Sequence, residues 1–238
     1  TSVPHAEILE KAKPILEEEG IILEIEEYQD YVLPNDDLAN GTLDANYFQH
    51  VPYLEQTIAD TGYDLVSLGE IHSEPMGVYS KSINSIEEIP DGTEVILSNS
   101  VSDHPRILKI FADAGLIKLD EKAEEITFDS IVENPKNLKF SPGPDPASLP
   151  EMYEYEEDAL VVINTNYALE AGLNPSEDAV FFESEDSVDV HPNIIAVRGE
   201  DKDNEALKKL VEVLQSEEMQ NFMLEEYGGA VIPAGGNK

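Results

Sequence analysis

Short apolar runs alternate with amphipathic segments along the whole of this chain, and that alternation constrains the fold more than any other feature. The helical spacing of Ile8, Leu9, Ala12, Ile15 and Leu16 predicts a helix over 5–19 despite Pro14, ended by Gly20. Strands are expected at 21–25, 46–48, 65–68 and 77–80, with a short helix stopping near Gly41 and another over 52–60 among them. The turn Ile89-Pro90-Asp91-Gly92 opens a second set. Its strands are expected at 94–97, 126–128, 137–140, 160–163, 180–182 and 193–197, and its helices at 104–114, 147–155 and 167–171. Two amphipathic helices, split near Ser216, end the chain. Leu207, Leu210, Val211 and Leu214 mark the first, and Met219, Phe222, Met223 and Tyr227 the second. Strands alternating with helices predict α/β sheets. Two sets of similar size with no long linker predict two α/β lobes and a cleft, because ligands of open α/β sheets sit at strand carboxyl ends.

Charge and composition remove whole classes of function. Among 238 residues, 51 acids against 14 bases give a net charge of −37, which excludes a nucleic-acid or anionic-membrane surface role. The chain is 41% hydrophobic, with Val/Ile/Leu runs throughout, so it is not a solvated acidic tail. No run approaches the roughly 18 apolar residues of a membrane span. There is no cysteine, so disulfides, thiolate metal sites and cysteine nucleophiles are excluded for the sequence as given. Most carboxylates must face water or one another, whether dispersed, as at Glu17-Glu18-Glu19, or clustered, as at Glu183-Ser184-Glu185-Asp186. That pattern points to an acidic surface adapted to a salty medium.

Signatures of chemistry are missing. The sequence has no G-x-G-x-x-G, no P-loop, no G-x-S-x-G and no H-E-x-x-H, so the chain is read as a binding protein without catalytic residues or a cofactor. His72 and Glu74 with His50 could in principle ligate a metal, but their spacing matches no ligand pattern, and no metal is expected. What stands out is polar and aromatic residues at strand ends: Asn46-Tyr47-Phe48-Gln49-His50, and Asn164-Thr165-Asn166-Tyr167 after the apolar Val162-Ile163. Such groups orient a small ligand and pack its apolar part. Each also has a purely structural reading, Tyr47 or Phe48 as core and Asn164 as the cap of the next helix. At this level both readings stand.

Seven ordered blocks carry a family resemblance: Pro4-His5-Ala6-Glu7-Ile8-Leu9, Asp30-Tyr31-Val32-Leu33-Pro34-Asn35, Asp44-Ala45-Asn46-Tyr47-Phe48-Gln49-His50, Glu74-Pro75-Met76-Gly77-Val78-Tyr79-Ser80, Glu133-Asn134-Pro135-Lys136-Asn137-Leu138-Lys139, Asn166-Tyr167-Ala168-Leu169-Glu170-Ala171-Gly172-Leu173 and Asn193-Ile194-Ile195-Ala196-Val197-Arg198. Through them the chain resembles the NlpA-type methionine-binding lipoproteins, the substrate-binding components of methionine ABC transporters. The resemblance implies a two-lobed periplasmic-binding-protein fold of type II, with methionine in an interlobe cleft. Residues 1–80 plus 194–238 would form the first lobe and 81–193 the second, with crossovers near Ser80 and Asn193. By motif, Tyr31, Phe48 and His50 would line the thioether pocket, Arg106 would hold the carboxylate, and Asn164 and Asn193 would bond the polar end. The implied partner is an ABC transporter permease and the implied state a monomer, extracytoplasmic in the periplasm or on the outer face of the cytoplasmic membrane, and lipid-anchored in the full-length precursor. Alternatives on the same scaffold are another amino acid, a short methionine-containing peptide, or a sensing role.

Three features depart from the family pattern. The strand that opens the family before the Pro-His-Ala-Glu block, and the lipid-bearing cysteine upstream, do not occur in this sequence, which starts at Thr1. The segment 98–106 keeps Asn99 and Arg106 but differs at most positions between, and Thr165 stands where a glycine is customary.

The charge yields a first prediction. The Debye length falls from roughly 30 Å at 0.01 M salt to roughly 3 Å at 1 M, so self-repulsion becomes local. The urea midpoint is expected to rise between those two salt levels, and an equal or lower midpoint in molar salt would refute the salt-adapted surface.

Overall fold

A computed structural model describes residues 2–184 and 191–236; the acidic pair Glu185-Asp186 lies outside them. The chain forms two compact units. Unit 1 comprises Thr1–Glu74 with Asp189–Lys238, and unit 2 comprises Pro75–Val188.

Unit 1 is built on a four-stranded antiparallel sheet in the order Asn46–His50, Asn193–Arg198, Leu65–Ser73, Ile232–Pro233. Asn193–Arg198 is buried at five of its six positions, which explains its continuous apolar run: both faces are covered. On one side Ile194 and Ala196 pack with Leu38, Leu54 and Leu65. The helix Glu7–Glu18 buries Ile8, Ala12 and Leu16, spaced four apart on one stripe, and packs against the helices Glu205–Leu214 and Glu217–Tyr227. The Asn204 and Ser216 side chains cap these last two helices, so the split near Ser216 is a capped restart.

Two expected strands are absent. Residues 21–25 are not a strand: they alternate between half-buried and exposed, with Ile22 83% exposed, and no neighbour among the described residues forms a ladder with them. Alternation alone makes an extended segment; a strand needs a bonding partner. Residues 126–128 fail for a different reason. Thr127 and Ser130 cap each other reciprocally and close a single turn over Phe128–Ser130. The strand forms just afterwards at Ile131–Glu133, paired with Lys118–Leu119, which the sequence pattern did not suggest.

Unit 2 carries a five-stranded mixed sheet in the order Lys139–Pro142, Glu94–Leu97, Leu160–Ile163, Gly77–Tyr79, Phe181–Phe182. The first two pairings are parallel and the last two antiparallel. Leu160–Ile163 lies centrally and is fully buried. Helix His104–Asp113 buries Ile107, Leu108, Ile110 and Phe111, and the Phe111 ring meets those of Phe140 and Phe181 edge-on at 5.2 and 5.1 Å.

Gly69 is where helix Glu205–Leu214 comes closest to the unit 1 sheet. A Cβ there would lie 2.5 Å from Val211 Cγ1, 3.6 Å from Cγ2 and 3.4 Å from Gln215 Nε2, so the Val211 side chain or its helix would have to shift. Gly69→Ala is expected to destabilise the protein by about 1–3 kcal/mol through overpacking, measured by chemical denaturation. A neutral result would show that the helix is free to move away.

Candidate functional site

In unit 1 the sheet register brings two candidate residues side by side. Asn193 pairs with His50 on one neighbouring strand and with His72 on the other, forming a row across the sheet edge. The register slips between Tyr47 and Gln49, so Phe48 is the extra residue of a bulge. Bulges re-aim side chains. Here Phe48 joins an aromatic group with Tyr31 and Tyr53, ring centroids 5.9–6.0 Å apart, and the Tyr53 hydroxyl donates to the Tyr31 carbonyl at 2.9 Å. His50 caps the helix Val51–Thr61, its Nδ1 accepting from the Tyr53 N–H at 3.2 Å, and its ring lies 5.4 Å from that of His191. Tyr31 and Phe48 therefore meet, and His50 is linked to them through Tyr53, a residue that sequence reading missed. The only available hint was its position three residues after His50, on the first turn of the helix.

The remaining polar residues of that strand serve the fold. Asn46 and Gln49 share a buried amide cluster with Asn35, including Asn35 Nδ2 to Gln49 Oε1 at 2.9 Å and Gln49 Nε2 to Asn35 Oδ1 at 2.7 Å. This cluster ties helix Leu33–Asn40 to the strand and leaves those amides satisfied by protein. Tyr47 is likewise committed: its hydroxyl bonds His72 Nδ1.

Behind Asn193 lies a buried polar network that sequence reading only glimpsed. His72 Nε2 is 2.7 Å from Glu74 Oε1, His5 Nε2 is 3.4 Å from the same oxygen, and His5 Nε2 is 2.9 Å from Asn193 Oδ1. Burial pulls the His5 pKa down to about 3, and burial pushes that of Tyr47 well above its ordinary value, so both stay neutral near pH 7. His72 and Glu74 do meet, as their spacing suggested, but with His5 in place of His50. One ligand-type atom from each lies within 4.8 Å of the other two. A metal there would have to displace the hydrogen bonds just described, so the group is a satisfied hydrogen-bond network.

In unit 2 Arg106 and Asn164 each have a protein partner. Arg106, the third residue of helix His104–Asp113, is 6% exposed, and its Nε and Nη2 form a fork onto Glu183, which is 1% exposed. The distances are 2.9 Å from Nε to Oε1 and 2.5 Å from Nη2 to Oε2. Glu183 is itself fixed by the Met76 N–H at 3.2 Å. Asp103, three residues before Arg106, accepts from Asn164 Nδ2 at 3.1 Å. Asn164 does stand at the N-cap of helix Thr165–Glu170, yet its side chain makes no capping bond. Thr165, in the place of the customary glycine, donates to the Pro75 carbonyl.

A separate cavity of about 610 Å³ in unit 1 runs beside the extended segment 21–26 and touches His5, Tyr47 and Phe48, but not Tyr31, His50 or Asn193. Its lining is mixed, with Leu16, Leu23, Leu207 and Leu210 beside Glu24, Asp44 and Asn46.

The Arg106–Glu183 fork generates a prediction about stability. Removing one partner of a buried pair leaves the other charge uncompensated, so Arg106→Ala and Glu183→Ala should each cost about 3–5 kcal/mol. Arg106→Met combined with Glu183→Gln should lose less than the sum of Arg106→Met and Glu183→Gln alone. Strict additivity in urea denaturation would show that the two charges are uncoupled.

Comparison with known proteins places the chain. The profile of the NlpA lipoprotein family matches residues 1–235. The methionine-binding lipoprotein MetQ of Bacillus subtilis is 44% identical over 236 residues, covering 98% of this chain and 85% of its own. Among solved structures, a pheromone cOB1 precursor/lipoprotein of the YaeC family from Enterococcus faecalis is 51% identical, covers 98% of this chain and 96% of its own, and superposes with a TM-score of 0.94. A nutrient binding protein from Burkholderia cenocepacia bound to methionine is 39% identical, covers 98% and 96%, and gives 0.89. On the match of the family profile and the identity to the Bacillus subtilis relative, the chain belongs to the NlpA lipoprotein family.

Proposed function

We propose that this protein is an extracytoplasmic substrate-binding protein that captures methionine and hands it to an ABC transporter permease, acting as a monomer and anchored by lipid in its full-length precursor. The observation that carries the reading is the aromatic group of Tyr31, Phe48 and Tyr53 beside His50, in a family with a relative solved bound to methionine. A thioether gains about 0.3–1.5 kcal/mol from each aromatic contact, and the polarisable sulfur needs no hydrogen-bond partner. Tyr31, Phe48, His50 and Asn193 are the proposed contacts from unit 1, Arg106 and Asn164 those from unit 2. Anchoring by lipid accords with the absence of any helix among the described residues long and apolar enough to cross a membrane. No step of covalent chemistry is involved.

L-methionine is expected to raise the thermal midpoint while lysine and glutamate leave it unchanged. At 100 times the dissociation constant the gain is about 2.7 kcal/mol. The protein is first denatured and its released small molecules identified by mass spectrometry, then refolded free of ligand for the titration. An unchanged melting curve of the ligand-free protein in millimolar methionine would refute the reading, and release of a different amino acid or a methionine peptide would redirect it.

A further inference from the structure

Within unit 1, His5 joins parts of the chain that lie far apart in sequence. It belongs to the short segment Ser2–Ala6 and is 2% exposed, with its ring 4.8 Å from that of Tyr47 and 5.2 Å from that of His72. Its Nε2 reaches Asn193 Oδ1 at 2.9 Å and comes within 3.4 Å of Glu74 Oε1. We propose that His5 is an acid-sensitive latch on unit 1: while neutral it holds the segment Ser2–Ala6 against the end of the sheet, and taking up a proton releases that segment.

The surroundings suit a neutral ring. A proton on His5 would put a buried positive charge just before the N-terminus of helix Glu7–Glu18, where the helix dipole already presents its positive end. It would also stand beside a second imidazole, that of His72, and a positive charge at the start of the chain adds to the repulsion. One group favours the charge, the Glu74 carboxylate. That carboxylate is closer to His72 Nε2, at 2.7 Å, than to His5. The neighbouring phenols offer no relief, since the Tyr47 hydroxyl is turned to His72 Nδ1 and the Tyr227 hydroxyl to Glu7. The bond to Asn193 needs no charge on the ring.

Burial is the largest of these effects, and it takes the His5 pKa from the ordinary 6.5 to about 3. Between those values the unfolded chain binds a proton at His5 that the folded chain refuses. The stability is therefore complete above pH 6.5 and is lost as the pH falls toward 3. From pH 8 to pH 5 this one group should lower the folding constant about 30-fold. The surface acts with the opposite sign: protonating part of a net charge of −37 relieves repulsion and favours the folded state in acid. Release of His5 frees Asn193 from its partner, so the starts of helix Glu7–Glu18 and strand Asn193–Arg198 should loosen first, while Leu160–Ile163 belongs to the core of the other unit.

Urea denaturation of the parent protein and of His5→Gln, at intervals from pH 8 to pH 5, tests the latch. Glutamine keeps an N–H for Asn193 and does not titrate, so the groups common to both proteins cancel in the ratio of their folding constants. The ratio of parent to variant should fall about 30-fold across that range, and a constant ratio would overturn the proposal. Proton–nitrogen correlation spectra of the folded parent give a reading that needs no variant: the His5 ring should be uncharged at pH 6, and a charged ring there would overturn it. Hydrogen exchange, corrected for the intrinsic rate at each pH, locates the opening. Between pH 7.5 and pH 5 protection should fall over residues 5–12 and hold at Leu160–Ile163; equal losses in the two segments would mean global unfolding and no latch.

Discussion

Unit 1 depends on a strand that arrives late in the chain. Asn193–Arg198 lies between Asn46–His50 and Leu65–Ser73, so neither of those strands has an inner neighbour until well over 100 residues have intervened. Its position is secured at both ends. At Arg198 the guanidinium donates from Nη1 to the carbonyls of Leu38 and Leu43 and its Nη2 pairs with Asp201 at 2.8 Å, while Asn193 bonds His5. The same placement that closes the sheet sets Asn193 in register with His50 and His72.

The acidic surplus makes the few buried charges informative. With 51 acids and 14 bases, most carboxylates can stay in water, and a carboxylate that goes inside must bring its partners. Glu183 has the Arg106 fork and a backbone N–H; Glu74 has His72 and His5. By contrast, surface pairs such as Lys118–Glu133 sit in solvent and contribute little. Electrostatic effort is thus concentrated where the head-group contacts are proposed, while the outer charge acts mainly as a uniform repulsive field relieved by salt.

Much of the fold could be read from periodicity because the main helices and central strands carry their own hydrophobic signal. Ile8, Ala12 and Leu16 announce one helix and Leu160–Ile163 one buried strand, and both form. The failures share a cause: pairing is not a local property. Residues 21–25 have strand composition without a partner, and Lys118–Leu119 and Ile232–Pro233 pair without strand composition. At the site, the residue types and strand ends were legible in the Asn46–His50 and Asn164–Tyr167 runs, but the partners were not. Tyr53, Glu183 and His5 act through contacts that span 3 to 188 positions, as in Tyr53–His50 and His5–Asn193, and no spacing rule links them. Nor did composition reveal that Arg106 would be paired already, since a surplus of acids makes any cation a candidate for a carboxylate.

That pairing changes how a head group could be selected. An arginine balanced by a buried glutamate has no net charge to offer, so a ligand with a net charge would bring that charge in uncompensated, at a desolvation cost that a fixed neutral environment cannot offset. A zwitterion brings none. On the proposal that Arg106 meets the ligand carboxylate, its balance by Glu183 disfavours ligands with a net charge, such as lysine and glutamate. The −37 field then affects capture rate little, because a net-neutral ligand feels only its gradient.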